Sequence, residues 1–126
     1  MPEESRLGVL GESLTCRLLK KRGYTIVARN YRKPCGEIDI VAELSGVIHF
    51  VEVKAVSREP GWDKYRDIGP EENLHKHKIA RLERVIQAYL QENGGRGERR
   101  WQLDAALVHI DRASKEADIE ILEGIG

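Results

Sequence analysis

The chain has 126 residues, 40% of them hydrophobic and 33% charged, with 21 basic and 21 acidic side chains and a formal net charge of zero. That length suits one domain, and a balanced charge leaves no global field to gather phosphate, so any nucleic-acid contact must come from local patches. Residues 1–20 carry charges throughout and no apolar stretch reaches 18 residues, so neither a secretory signal nor a membrane span is expected. Cys16 and Cys35 lack metal-ligand spacing and read as reduced thiols of a cytoplasmic protein.

The first element is a helix over residues 5–22, where Leu7, Leu10, Leu14 and Leu18 recur at helical spacing and Gly23 follows a basic last turn. Glu12 lies off that leucine stripe and shares a side with Gly8, Cys16 and Leu19. Gly8 and Gly11 each cost about 1 kcal/mol in a helix relative to Ala, which points to a close approach of backbone or ligand.

Three strands follow, over 24–30, 37–44 and 47–56. Proline and glycine make 58–70 a loop, and a second helix spans 71–92 with an apolar stripe of Ile79, Leu82, Val85, Ile86, Tyr89 and Leu90. Two strands, over 101–110 and 119–122, complete the order α-β-β-β-α-β-β. That order predicts a single α/β (α+β) domain, with a mixed central β-sheet flanked by helices.

Ser45-Gly46 reads as a two-residue hairpin turn, and counting outward from it sets Asp39 opposite Glu52 and Glu37 opposite Lys54. Side-chain alternation then puts all four on one side of the sheet, with Ile38, Ile40, Val51 and Val53 on the other. An odd-length loop would break this pairing. Opposed side chains stand only about 4.5–5.5 Å apart at Cβ, so Asp39 against Glu52 is unfavourable without compensation. A proton, an intervening cationic side chain or a divalent metal would supply it. An all-oxygen donor set suits Mg²⁺. Lys54, two residues beyond Glu52 on the same side, is placed to activate water or stabilise charge on a phosphate.

The segments G-E-I-D-I at 36–40 and F-V-E-V-K at 50–54 resemble the D…E-x-K core of the PD-(D/E)xK nuclease superfamily. The whole chain is similar to the bacterial YraN family, related in fold to Holliday-junction resolvases, through G-x-x-G-E at 8–12, R-G-Y at 22–24, N-Y-R at 30–32, Lys78, A-Y-L at 88–90 and L-D at 103–104. Trp101-Gln102-Leu103 departs from the Arg-Phe pattern usual before Asp104, and Ile86 stands where alanine is common.

The resemblance implies a restriction-endonuclease-like fold and Mg²⁺- or Mn²⁺-dependent hydrolysis of DNA phosphodiester bonds, with branched or single-stranded DNA as candidate substrates. Asp39 and Glu52 would hold the metal, Lys54 would be the catalytic lysine, and Glu12 would match an acidic residue of the first helix. A homodimer follows by analogy with the resolvases. Lys78, at the start of the second helix's stripe, and Arg58 and Trp62, in a basic and aromatic loop, are candidates for nucleic-acid contact. The rival reading is a non-catalytic nucleic-acid-binding or adaptor protein that keeps the nuclease fold.

Overall fold

A computed structural model describes residues 3–58, 72–93, 99–111, 113–114 and 116–125. Helix α1 (Glu3–Lys21) leads into β1 (Thr25–Lys33), β2 (Gly36–Leu44) and β3 (Val47–Arg58). Helix α2 (Glu72–Asn93), β4 (Trp101–Asp111) and β5 (Ala117–Leu122) follow. The strands form one mixed sheet in the order β1-β2-β3-β4-β5, matching the element order expected from the sequence. Neighbours are antiparallel except β3 and β4, which run parallel. A parallel pair needs a crossover, and α2 lies within it. No helix among the described residues is long and apolar enough to cross a membrane.

The hairpin register is the one the turn dictates. Ser45 and Gly46 both have positive φ, 51° and 80°, the backbone of a tight turn whose twist matches its strands. Leu44 pairs with Val47 and the ladder continues to Ile40 against Val51.

The two helices cover opposite faces. Ile38, Val41, Ile48, Phe50 and Leu103 pack with Leu82, Val85, Ile86 and Tyr89 of α2, so this helix buries the stripe its periodicity predicts. Ile40, Ala42, Val51 and Ala106 pack with Cys16 and Leu19 of α1. Cys16 is buried as a small core residue, whereas Cys35 is exposed.

Helix α1 corrects the expectation drawn from its leucines. The stripe turned to the sheet is Gly11, Thr15, Cys16 and Leu19; Leu7, Leu14 and Leu18 are only partly buried, and Leu10 is 45% exposed. The reason is distance: a Cβ on Gly11 would lie 2.7 Å from Ala55 Cβ, so the helix backbone runs almost against β3 and leaves no room for leucine. No such approach occurs at Gly8, where an added Cβ meets nothing within 4 Å. The helix ends at Gly23 (φ 94°), with Tyr24 N–H donating to Leu19 O and Gly23 N–H to Lys20 O. This is a Schellman stop, and it returns Tyr24 to the core beside Leu19.

The two helical glycines give opposite expectations. Gly8→Ala gains helix propensity without a clash and should stabilise the protein by up to about 1 kcal/mol. Gly11→Ala meets Ala55 and should destabilise it by about 1–3 kcal/mol, with Ala55→Gly restoring much of the loss. Urea unfolding of the four proteins measures both effects, and equal responses at the two glycines would refute the close approach.

Candidate active site

The site begins where β2 and β3 part. Beyond Ile40–Val51 the β3–β4 ladder continues to Arg58 against Asp111. On the β2 side, a side chain takes over: Val53 N–H donates to Asp39 Oδ2 at 2.8 Å. A carboxylate thereby fills the seam between two strands, in the position of a backbone acceptor.

Strict alternation slips at this point. Ile38 and Val41 share the α2-side core, three residues apart rather than two, while Ile40 and Ala42 face α1. On the other side of β2, in β1, Asn30 has φ 52°, and the pairing passes from Arg29–Ile40 to Tyr31–Ile38 around it. Ile38 thus does not share a face with Ile40, and Asp39 is not simply one of four acids and bases on one side. It sits between the faces.

From there Asp39 reaches both helices' sides. Glu52, on the α2 side of β3, and Glu12, on α1, both lie near enough to feel the charge of the Asp39 carboxylate. The Glu12 side chain is only 14% exposed and that of Glu52 18%, so neither is a solvated surface acid. Around them, Arg29 Nη2 lies 3.7 Å from Glu12 Oε2, and Lys78 Nζ lies 2.8 Å from Glu52 Oε1. With its amide turned to satisfy its neighbours, Asn30 donates to Glu12 Oε1 at 3.1 Å and to Glu37 Oε1 at 2.8 Å. Glu37 also accepts from Arg32 Nε at 3.1 Å, which ties it to β1. The expected Glu37–Lys54 opposition falls beyond the paired part of the β2–β3 ladder. Lys54 is exposed on β3, paired with Leu107 of β4.

Burial beside the Asp39 charge makes Glu12 and Glu52 resist ionisation. Burial, and then the charge of Asp39, pushes Glu52 up to about 7 against the pull of Lys78. Burial and Asp39 likewise raise Glu12, against Asn30 and Arg29. Compensation is therefore divided between a retained proton and a cationic side chain. Oxygen donors of this kind suit a hard divalent cation, with Asp39 and Glu52 as the candidate pair; the three acids together do not bring their ligand atoms within 4.8 Å of one another.

Of the other sequence candidates, Lys78 turns inward to Glu52 while remaining 49% exposed. The side chain of Arg58 and all of Trp62 lie outside the described residues.

A second polar cluster lay outside the sequence reading. His49 and Asp104 are 5% and 1% exposed, on β3 and β4, with His49 Nδ1 2.7 Å from Asp104 Oδ2. Asp104 Oδ1 accepts from Gln102 Nε2 at 2.7 Å and from Gly124 N–H at 3.0 Å. Ligand atoms of His49, Asp104 and Glu123 fall within 4.8 Å of one another. The edge of Tyr24 packs on His49, with centroids 5.0 Å apart. Three donors on one buried carboxylate make this a brace, fastening the segment after β5 to the sheet. The available signal was a charged residue, Asp104, standing between Leu103 and Ala105 in an otherwise apolar strand.

The profile described as "Uncharacterised protein family UPF0102", the YraN family, matches residues 11–108. A UPF0102 protein of Moorella thermoacetica is 37% identical over 94% of this chain and 93% of its own length. One from Roseiflexus castenholzii is 34% identical over 92% and 89%. Another, from Desulfosudis oleivorans, is 41% identical over 84% and 80%. The chain belongs to the UPF0102 family.

The raised Glu52 carboxyl has a stability consequence. Its folded value lies above the ordinary 4.5, so the fold favours the protonated form. That contribution is complete below about pH 4.5 and is lost as pH rises through about 7. In metal-free buffer, Glu52→Gln should therefore gain on the wild type between pH 5 and 8, by on the order of 2 kcal/mol. Denaturant unfolding across that range tests it; stability curves that stay parallel would show that Glu52 is not held in its acid form.

Proposed function

We propose that this protein is a metal-dependent nuclease that hydrolyses DNA phosphodiester bonds, the reading its resemblance to the PD-(D/E)xK superfamily implies. The observation that carries it is the meeting of Glu12, Asp39 and Glu52, drawn from α1, β2 and β3, at the seam where β2 leaves β3. Buried like charges are costly, and a divalent cation between Asp39 and Glu52 would offset that cost.

Asp39 and Glu52 would hold Mg²⁺ or Mn²⁺, which supplies Lewis-acid activation of water and neutralises charge on the phosphate. Asp39 is oriented for this by the Val53 N–H, which fixes one of its oxygens. Glu12, steadied by Asn30 and Arg29, offers oxygens on the opposite side, for a second ion or for the attacking water. Lys54, exposed one alternation beyond Glu52 along β3, stabilises charge developing on the phosphate or positions that water. In the net reaction, water adds to phosphorus, one P–O ester bond breaks, and the departing oxygen takes a proton. DNA is the partner under this reading, and action on two strands would call for a homodimer.

The test is a cleavage panel of single-stranded, duplex, flap and four-way-junction DNA with Mg²⁺ or Mn²⁺. Asp39→Ala and Glu52→Ala should each reduce cleavage by at least about 100-fold, the scale of removing a major electrostatic contributor, while circular dichroism stays native. Lys54→Ala should slow cleavage yet retain Mn²⁺ binding by calorimetry. Undiminished cleavage by Glu52→Ala would refute the assignment. Metal-independent DNA binding without cleavage on any substrate would favour a non-catalytic binding protein.

A further inference from the structure

Lys78 and Glu52 meet at the wall of a cavity of about 160 Å³ between α2 and the start of β2, bordered also by Gly36, Glu37, Arg81 and Leu82. Lys78 and Arg81 stand three residues apart on α2 and so point to the same side of the helix. Two cations thus flank one opening, and Glu37, the acid on the β2 side, is already engaged by Arg32.

The Lys78 ammonium lies 2.8 Å from the carboxylate that the proposed metal would use. A divalent ion on the other Glu52 oxygen would weaken this pair, because it would repel the ammonium across the shared carboxylate. Side-chain reach settles where Lys78 would go. It is half exposed on a flexible four-carbon stem, and it already borders the cavity beside Arg81.

Resting on the metal site proposed above, we infer that this cavity is a phosphate subsite for the nucleic-acid backbone, and that Lys78 exchanges between Glu52 and that phosphate. Without metal, Lys78 compensates Glu52. With metal, it is released to the cavity, where with Arg81 it receives a phosphodiester next to the one being cut. Metal and nucleic acid then strengthen each other's binding through one side chain, and the linkage is reciprocal. Lys78 is a positioning residue for substrate and a competitor of the metal.

The two roles predict opposite signs for one substitution, which a structural role would not produce. In calorimetry, Lys78→Met should bind Mn²⁺ about three- to fivefold more tightly than the wild type, the scale of a partly exposed ion pair. With Ca²⁺ present, binding of a fluorescent ten-residue oligothymidylate should weaken about three- to tenfold in both Lys78→Met and Arg81→Ala. In EDTA, Glu52→Gln should release Lys78 without metal and bind the oligonucleotide more tightly than the wild type, a gain that Glu52→Gln/Lys78→Met loses. Unchanged or weaker Mn²⁺ binding by Lys78→Met would overturn the exchange. Inorganic phosphate that competes at the oligonucleotide's own concentration would overturn the assignment to a nucleic-acid backbone. If the wild type bound neither Mn²⁺ nor Ca²⁺, the metal site itself would fail. The metal-free comparison would still decide the subsite, since it depends only on freeing Lys78.

Discussion

The hydrogen bond from Val53 N–H to the Asp39 carboxylate organises this molecule. A β-strand that leaves its neighbour exposes backbone donors, and an orphaned buried donor costs about 1–3 kcal/mol. Asp39 satisfies one of them with a side chain, and in doing so is held between the two faces of the sheet. Glu52 from one side and Glu12 from the other then have a common neighbour. That hydrogen bond places the Asp39 charge, which adds to burial in raising both carboxyls.

The surroundings spread the resulting charge over several elements. Arg29 and Asn30 come from β1, Lys78 from α2, and each meets a different acid or pair of acids. Asn30 does so from a left-handed backbone that a non-glycine residue adopts at some cost, one that asparagine bears better than most. At the opposite end of β3 and on its other face, the His49–Asp104 pair is fully dressed with donors and holds the C-terminal segment down. In one cluster the buried acid is met by donors of the chain itself; in the other, Glu12 and Glu52 stay above their ordinary values beside Asp39.

Much of this could be read from the sequence. Ser45-Gly46 set the hairpin register as far as Ile40 against Val51, one step short of Asp39 and Glu52. The α2 stripe was legible because its residues are large and evenly spaced. Three features were not. The slip at Asp39 coincides with the left-handed backbone of Asn30 on the neighbouring strand, a feature that no alternation rule within one strand contains. The buried side of α1 was misjudged because leucine count is a poor guide where the close approach at Gly11 turns Gly11, Thr15, Cys16 and Leu19 to the sheet rather than Leu7, Leu10, Leu14 and Leu18. Lys78 finding Glu52 is a long-range contact, and the residue's place on the helix suggested solvent equally well.

That close approach of α1 bears on any attempt to move this chemistry to another scaffold. Glu12 follows directly after Gly11, so the clearance at Ala55 fixes how far the third carboxylate stands from the seam. Transplanting the β2–β3 hairpin alone would carry Asp39 and Glu52 and leave the cluster incomplete. A host must bring a helix that can lie almost bare-backboned on the sheet, and the lowest-volume residue in the chain becomes the spacer by which the acidic group is assembled.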